Sequence, residues 1–279
     1  MKSTIDVTRR ELVIEPGRGM AQYWQDLWRY RELFVFLAWR DLLVRYKQTV
    51  IGVAWSVIRP LLTMVVLTFV FGRVAKLPSD GTPYPILVFS AMLPWQFFAN
   101  ALSESSSSLI TNIPLISKVY FPRLAIPASA VVASFVDFLI SFCILVVMMA
   151  FYGVMPTWRM LALPLFVLLA FGAAIGAGLW FAALNVRYRD FRYIIPFVIQ
   201  FGLYISPVGF SSRVVPEEWR LLYSANPMVG VIDGFRWSIL GRSDIYWPGV
   251  WLSVVTVALV SGTALAYFRR TERTFADVI

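Results

Sequence analysis

The amino-acid sequence predicts an all-α membrane protein with six transmembrane helices and further short helices on both sides of the bilayer. Hydrophobic residues make up 59% of the 279-residue chain, and the mean hydropathy is +0.70. Soluble domains contain roughly 45–50% apolar residues even when glycine is counted. The apolar residues of this chain also fall in blocks of about 17 to 27 positions, close to the length of helix that crosses a bilayer. We therefore expect lipid to surround most of the chain.

The first region, residues 1–49, is polar and charged and is predicted to be a cytoplasmic tail that ends in an amphipathic helix. Its start lacks the basic, apolar and small-residue sections of a signal peptide, so we expect no cleavage there. From residue 35 onward, apolar and charged side chains separate onto opposite helical faces. This helix is expected to lie flat at the interface, as a membrane anchor, a docking surface or both. The apolar face contains Val35, Trp39, Leu42 and Tyr46, and the polar face contains Arg40, Asp41, Arg45 and Lys47.

The second region, residues 50–268, is predicted to be the transmembrane domain, and residues 269–279 are predicted to form a second cytoplasmic tail. Each apolar block approaches the roughly 20 residues that cross about 30 Å of hydrocarbon. The second and fifth blocks are the shortest. The six predicted spans are residues 50–71, 85–102, 126–152, 160–184, 194–210 and 249–268.

Positive charge predicts the orientation of these spans. With the N-terminus inside, the cytoplasmic segments carry 17 Lys and Arg residues and the opposite segments carry 7. Cytoplasmic loops are enriched in these residues, so both termini are expected in the cytoplasm. The net charge of +9 is spread over the membrane flanks and not gathered in one stripe, so we expect no nucleic-acid partner.

Two connecting segments are more apolar than simple loops require. Between the second and third spans, prolines enclose an apolar and basic stretch at 115–123 that predicts one short, rigid cytoplasmic helix after a serine run at 105–108. Its apolar side chains must dip into the interface or fill a groove on a partner. Residues 221–240 are apolar but interrupted, which predicts two short helices that re-enter the membrane from the periplasmic side.

Asp137 is the carboxylate predicted to lie well inside a span. Charged residues within the bilayer are functional candidates by default. Two roles remain open for it: structural pairing, with Arg59 as a candidate partner, and lining of a transport pathway. In the fourth span, Gly172, Gly176 and Gly178 permit close helix approach, which fits packing within the chain as well as a dimer seam.

Several kinds of chemistry are excluded because the sequence lacks the residues for them. There is no histidine, so a histidine base, proton relay or metal ligand is impossible. The single cysteine, Cys143, can form neither an intrachain disulfide nor a paired metal site. No Walker-type phosphate loop is present. We therefore expect no catalytic residue, metal or cofactor in this chain, with ATP and Mg²⁺ bound by a separate partner.

Six short motifs resemble, in order, those of the type 2 ABC exporter permeases that export polysaccharides. The resemblance covers nearly the whole chain beyond residue 30, and VIEP at 13–16 is most similar to the permeases for O-antigen lipopolysaccharide, with capsule and teichoic acid permeases as close relatives. The motifs are RYKQTVIG at 45–52 followed by Trp55, Pro60 and Leu61, then ISKVYFPR at 116–123, LNVRYRD at 184–190, SPV at 206–208, NP at 226–227 and GFRW at 234–237.

The resemblance implies a homodimer of six-span subunits in the inner membrane, bound to two ATP-hydrolysing subunits. Its implied substrate is a glycan carried on a polyprenyl diphosphate lipid. It also implies that the N-terminal helix and the segment between spans two and three form the docking surface for the ATPase. The implied docking residues are Val35, Trp39, Leu42, Leu115, Ile116, Lys118, Tyr120, Phe121 and Arg123.

The chemistry of such a substrate adds two sets of candidate residues. A lipid diphosphate needs fixed cations near the cytoplasmic leaflet, where arginine forks bind its oxygens through charge-assisted hydrogen bonds. A sliding glycan needs aromatic faces that hold sugar rings weakly. Lipid-headgroup anchoring and ordinary lipid contact are the alternatives for these residues. The cation candidates are Arg40, Arg45, Lys47 and Arg59, and the aromatic candidates are Trp95, Phe97, Phe98, Trp180 and Tyr204.

Three other functions remain open at this point. A type 2 exporter of another glycan, a teichoic acid, a lipid or a drug would share the fold. A passive channel would show no dependence on ATP. An intramembrane sugar transferase would need clustered carboxylates or histidines to hold a metal and a diphosphate, and Glu104 and Asp137 are too isolated to indicate such a cluster.

Overall fold

A computed structural model describes residues 25, 27–47, 53–79, 81–119, 121–241, 244–272 and 275, and all regular secondary structure in these ranges is helical. A π-helical turn, Thr68–Val74, extends the second helix, and 3-10 turns precede the sixth and eighth helices at Trp158–Ala162 and Ser212–Val214. The α-helices are α1 (Arg31–Lys47), α2 (Val53–Leu67), α3 (Tyr84–Thr111), α4 (Ile113–Ile116), α5 (Ala125–Phe151), α6 (Leu163–Arg187), α7 (Phe191–Ile205), α8 (Glu217–Tyr223), α9 (Pro227–Leu240) and α10 (Trp247–Glu272).

Five helical stretches in the described ranges are long and apolar enough to cross a membrane. Helix α7, in the position of the fifth predicted span, has 15 residues. At 1.5 Å per residue such a helix covers about 22 Å, less than the roughly 30 Å of hydrocarbon. The all-α membrane fold is therefore confirmed, whereas the count of six spans is not. The five stretches are Ala54–Val74, Tyr84–Thr111, Ala125–Phe151, Trp158–Arg187 and Trp247–Glu272.

Helix α3 is the centre of the bundle. It packs along both α5 and α6, and α10 packs along α6 in turn. Most residues of α3 are buried, whereas those of α2 and α7 largely face outward. The chain therefore has an inner layer of four long helices and a periphery formed by α2 and α7.

Helix α3 continues past the predicted end of the second span as far as Thr111, so the serine run expected in a loop is helical. Ser106 donates a hydrogen bond to the carbonyl of Ser103 at 2.8 Å, and Ser108 donates to that of Ser105 at 2.7 Å. Hydroxyl groups satisfied in this way can remain inside a helix. The run is thus the polar, packed end of a long helix, and the expectation of a serine loop was wrong.

Helix α6 packs against α10 and α3 through small residues. A Cβ atom added at Gly176 would lie 2.6 Å from the Oγ of Ser261 on α10, and one added at Gly178 would lie 2.6 Å from the Oγ of Ser105 on α3. Ser261 also donates a hydrogen bond to the carbonyl of Gly172 at 3.0 Å. Close backbone approach is the usual role of small residues between membrane helices. The glycine pattern therefore serves packing within the chain.

The two ends of the bundle differ in what covers them. We call the end where α3 and α10 finish the tail end, and the opposite end, which carries residues 206–246, the loop end. Two short helices, α8 and α9, lie at the loop end, as the interrupted apolar pattern predicted. Asn226 caps α9 by accepting a hydrogen bond from the N–H of Met228 at 3.0 Å, and Gly241 ends it with φ of 65°. Whether these helices re-enter the membrane stays a prediction.

Candidate functional site

Helix α1 contacts the rest of the chain along one side. Leu37 is 1% exposed and belongs to the buried cluster at the tail end, whereas Trp39 and Val35, on the predicted apolar face, are 60% and 63% exposed. Arg45, on the predicted polar face, turns toward α5. The exposed apolar side chains are available to lipid or to a partner, and the flat interfacial position of the helix stays a prediction.

Arg45 is the centre of an ionic cluster between α1, α3 and α5. Its guanidinium donates a hydrogen bond to the Asp137 carboxylate and lies 3.2 Å from the carboxylate of Glu104. The Tyr46 hydroxyl donates to the other oxygen of Asp137. A half-buried charge requires such partners because its desolvation is expensive. Asp137 is therefore paired structurally, but with Arg45 in place of the expected Arg59.

The four cations expected to bind a diphosphate are held in different ways. Arg45 is engaged in the ionic cluster, and Arg40 lies 2.7 Å from the carboxylate of its neighbour Asp41. Lys47 and Arg59 are exposed. Lys47 and Arg59 therefore remain the more accessible of the four, while Arg45 already balances two carboxylates.

The connecting segment, which we define as residues 112–124, is less helical than predicted. Among the described residues of this segment, which leave out residue 120, only Ile113–Ile116 forms a helix, and turns follow it. Pro122 explains part of the difference, because proline removes a backbone donor and disfavours helical conformation in the residue before it. The expectation of one helix over 115–123 was therefore wrong, although the segment is compact.

Two large apolar side chains of the connecting segment are buried within the chain. Phe121 is 4% exposed and Ile116 is similarly enclosed; both belong to one cluster with Leu37 of α1 and Phe268 of α10. These residues were expected either to dip into the interface or to fill a groove on a partner. In the structure they fix the position of the segment.

Other predicted docking residues remain accessible at the surface of the tail end. Lys118 is exposed, as is its neighbour Val119, while Leu115 and Arg123 are half-buried. Tyr120 lies outside the described residues. On α1, Leu42 is half-buried, and Val35 and Trp39 are exposed. A partner at this end would therefore meet Lys118 and its neighbours first.

Arg123 joins the connecting segment to the end of α10. Its backbone N–H donates a hydrogen bond to Oε1 of Glu272 at 3.1 Å, and its guanidinium donates to the backbone carbonyl of Glu272. Beyond this point, Phe275 is buried against Phe268, with ring centroids 5.5 Å apart. Sequence reasoning did not identify Glu272 or Phe275. No local pattern points to a contact between residues 149 positions apart.

The five aromatic residues expected to line a channel lie in different environments. Phe97 is buried, with its ring centroid 5.7 Å from that of Phe135 and 5.6 Å from that of Phe138. Trp95 is buried as well, against Gly202 of α7. Neither ring is accessible from outside this chain, so the structure does not favour a channel-lining role for them.

The other three aromatic candidates retain accessible surface. Tyr204 on α7 is 62% exposed. Phe98 and Trp180 are partly exposed, and Trp180 stacks on Tyr267 of α10 at 4.6 Å between ring centroids. These three rings can contact a molecule outside the chain.

Arg236 holds the loop end together. It is 4% exposed, and its guanidinium donates hydrogen bonds to three backbone carbonyls. The acceptor on α3 is Leu87 at 3.2 Å, and the acceptors after α7 are Val208 at 3.0 Å and Phe210 at 2.6 Å. The hydroxyl of Tyr84 donates to the carbonyl between them, that of Gly209, at 2.8 Å. One side chain thus joins α9, α3 and the segment that follows α7.

Three motifs that the sequence separates therefore meet at the loop end. The SPV motif at 206–208 supplies the Val208 carbonyl to Arg236 of the GFRW motif. It also supplies the Ser206 hydroxyl, which accepts a hydrogen bond from the side-chain amide of Asn226, in the NP motif, at 2.9 Å. These motifs build one connected structure.

A polar pocket lies beside this structure, lined in part by Asp233, Arg213 and Asp244. Burial raises the pKa of the Asp233 carboxyl, and a hydrogen bond with Ser212 and the charge of Arg236 oppose that shift. Arg213 lies 3.1 Å from the exposed carboxylate of Asp244. The charges at this end are thus largely compensated among themselves.

Comparison with known proteins gives consistent matches over most of the chain. A family model described as ABC-2 type transporter matches residues 32–240. The chain is 29% identical over 259 residues to the O-antigen export system permease protein RfbA of Klebsiella pneumoniae, covering 89% of this chain and 95% of that protein. A protein of the same name from Myxococcus xanthus is 28% identical over 214 residues, covering 76% of this chain and 82% of that protein.

Proposed function

The chain belongs to the ABC-2 type transporter family, and on this premise we propose that it is the transmembrane permease subunit of an ATP-driven exporter of an O-antigen-like polysaccharide. The observation that carries the proposal is the similarity to relatives named O-antigen export system permease, which extends over 95% of the length of one of them. The motifs that match the polysaccharide exporters support the same substrate class. Export of another glycan, a teichoic acid, a lipid or a drug is the alternative.

The proposal includes a second copy of this chain and two ATP-binding subunits. The sequence contains no Walker-type loop, so ATP and Mg²⁺ are assigned to the partner. The exposed apolar faces of α2 with its π-helical extension and of α7, which include Phe69, Phe197 and Tyr204, require cover from lipid or from another copy of the chain. We assign part of this cover to a homodimer in which Tyr204, Phe98 and Trp180 contact the passing glycan.

For the substrate, we propose a glycan on a polyprenyl diphosphate that enters from the cytoplasmic leaflet. Arg40, Arg45, Lys47 and Arg59 form the proposed cationic surface for the diphosphate. Because Arg45 already balances two carboxylates, we expect the exposed Lys47 and Arg59 to contact the diphosphate first. Arg59→Lys keeps the charge and loses the bidentate fork. Export should therefore fall in this variant with its membrane level unchanged, and normal export would contradict the assignment.

We place the protein in the inner membrane with both termini, Lys118 and Arg189 in the cytoplasm. Lys76 and Arg159 then face the periplasm, and α7 together with the residues after it forms the fifth crossing, which brings the total to six. Single cysteines at these four positions in a Cys143→Ser background test the topology. An impermeant thiol reagent added outside the inner membrane should label positions 76 and 159. Labelling at 118 or 189 would contradict the proposed orientation.

The function is tested in a strain that lacks the gene. Surface O-antigen should disappear and lipid-linked glycan should accumulate inside the cell, and expression of this chain should reverse both effects. Normal surface glycan with altered drug or lipid export would support the alternative substrates. In membrane vesicles, export should require ATP together with the ATP-binding subunit; export without ATP would indicate a passive channel.

Lys118→Glu tests whether the connecting segment couples ATP hydrolysis to export. The side chain is exposed on the connecting segment, so the charge reversal should leave membrane insertion intact. A partner that docks there should lose its coupling, and ATP hydrolysis should continue without export. Normal export by this variant would show that the connecting segment does not transmit the action of the ATPase.

A further inference from the structure

The end of α10 and the connecting segment satisfy each other's polar groups. Near the last described turn of α10, the Arg123 guanidinium donates a hydrogen bond to the backbone carbonyl of Glu272. In return, the Glu272 carboxylate accepts the backbone N–H of Arg123 at 3.1 Å. The two contacts are reciprocal and hold the segment at a fixed place relative to α10.

An apolar contact reinforces this polar one. Phe275, three residues after Glu272 in the sequence, is buried and packs on Phe268. Both rings belong to the cluster that holds Phe121 and Ile116 of the connecting segment. The segment is therefore attached to α10 and the residues after it, in addition to its covalent links to α3 and α5.

We propose that Glu272 and Phe275 are positioning residues that hold the connecting segment in place against α10 for coupling to the ATP-binding subunit. Force applied to the connecting segment would reach α10 directly through Arg123 and Glu272, and would not have to pass along α3 or α5 alone. This inference rests on the proposed function, because it assumes that an ATP-hydrolysing partner acts on the connecting segment.

The test uses two matched pairs of variants in the full complex. Glu272→Gln keeps an oxygen acceptor for the Arg123 N–H, whereas Glu272→Ala removes it. Phe275→Leu keeps an apolar side chain in the cluster, whereas Phe275→Ser does not. For each variant we would measure the amount of chain in the membrane, the amount of ATP-binding subunit that copurifies, ATP hydrolysis, and glycan exported per ATP hydrolysed.

Glu272→Ala should retain the partner and its ATP hydrolysis while glycan exported per ATP falls about tenfold, the effect of losing one charge-assisted hydrogen bond. Phe275→Ser should lower export per ATP in the same direction, because it removes the apolar contact with Phe268. Glu272→Gln and Phe275→Leu should stay within about threefold of the unmodified chain, since each keeps the relevant contact. A purely structural role would instead lower membrane level and both activities together, which would overturn the proposal. So would equal export per ATP in the two Glu272 variants.

Two further outcomes are separated by the same design. If the Phe275→Ser chain fails to accumulate in the membrane, the comparison of Glu272→Gln with Glu272→Ala tests the proposal alone. Those two variants differ in the acceptor for the Arg123 N–H and leave the apolar cluster intact. If the unmodified complex shows no ATP-dependent export, the proposed function fails. If it exports normally and the Glu272 variants do not differ, only the inference about the C-terminal segment fails.

Discussion

The two ends of the bundle stabilise their enclosed arginines in different ways. At the tail end, Arg45 lies against two carboxylates, those of Asp137 and Glu104. At the loop end, Arg236 donates to the backbone carbonyls of three residues. A carboxylate can be neutralised by substitution, whereas a backbone carbonyl cannot be removed. A second substitution can therefore compensate for the loss of Arg45 at the tail end, whereas no second substitution can remove the acceptors that the loss of Arg236 leaves at the loop end.

The largest effect is expected at the loop end. Arg236→Ala removes the donor to the Val208 and Phe210 carbonyls in a buried site, while the Leu87 carbonyl keeps the Ser90 hydroxyl at 3.0 Å. We therefore expect a loss of about 3 to 5 kcal/mol in the free energy of unfolding. Arg236→Lys keeps the charge without the fork and should recover only part of that loss. Equilibrium unfolding in mixed micelles measures both. Unchanged stability in the alanine variant would remove the contrast between the two ends.

At the tail end we expect a smaller effect that can be reversed. Arg45→Ala leaves Asp137 and Glu104 without their cation, at a cost of about 1 to 3 kcal/mol because the site is only partly buried. Adding Asp137→Asn should restore at least half of that loss. The same unfolding measurement applies to the single and double variants. If the two losses add instead of cancelling, Arg45 and Asp137 do not form a compensated pair.

Arg159 makes a weaker contact at the loop end of the same kind as Arg236, from a guanidinium to a backbone carbonyl. Its guanidinium donates to the carbonyl of Gly241 at 2.7 Å and lies 5.2 Å from the ring centroid of Trp237. Arg159→Ala should cost about 1 kcal/mol, the usual net value of one hydrogen bond with a modest cation–π contact. Arg159→Lys should lose less. A loss as large as that of Arg236→Ala would mean that burial does not explain the difference.

The smallest effect is expected for an exposed ion pair. Glu217 lies 3.9 Å from Arg220, and its side chain is 90% exposed. Glu217→Gln should change the unfolding free energy by no more than about 0.5 kcal/mol, because exposed pairs contribute little in water. This variant serves as the baseline for the other three measurements. A larger effect would indicate that Glu217 has a further role.

The positions of the long helices could be predicted because hydropathy is a local property. The span predicted at 160–184 lies inside the helical stretch Trp158–Arg187, and the one at 126–152 nearly coincides with α5. The serine end of α3 was missed for a specific reason. Serine favours loops unless its hydroxyl bonds a carbonyl three or four residues earlier, and Ser106 and Ser108 do so.

The candidate site was only partly predictable because its contacts are distant in sequence. Periodicity separates the two faces of α1, but it does not tell whether lipid, water or protein covers each face. The partners of Asp137 and Arg123 lie 92 and 149 residues away. Asp137 was predicted to pair because an isolated charge in a membrane is costly. Which arginine pairs with it depends on how α1 packs, and the sequence does not show that.

The inward charge of α1 has a consequence for how the protein is made. Arg45 is synthesised 92 residues before Asp137. At roughly 5 to 20 residues per second, the ribosome needs about 5 to 20 seconds to cover that distance. Until Asp137 emerges, an arginine drawn into the bilayer would lack this counter-ion at a cost of several kcal/mol. Helix α1 should therefore wait at the membrane surface and take its place only after α5 has been inserted.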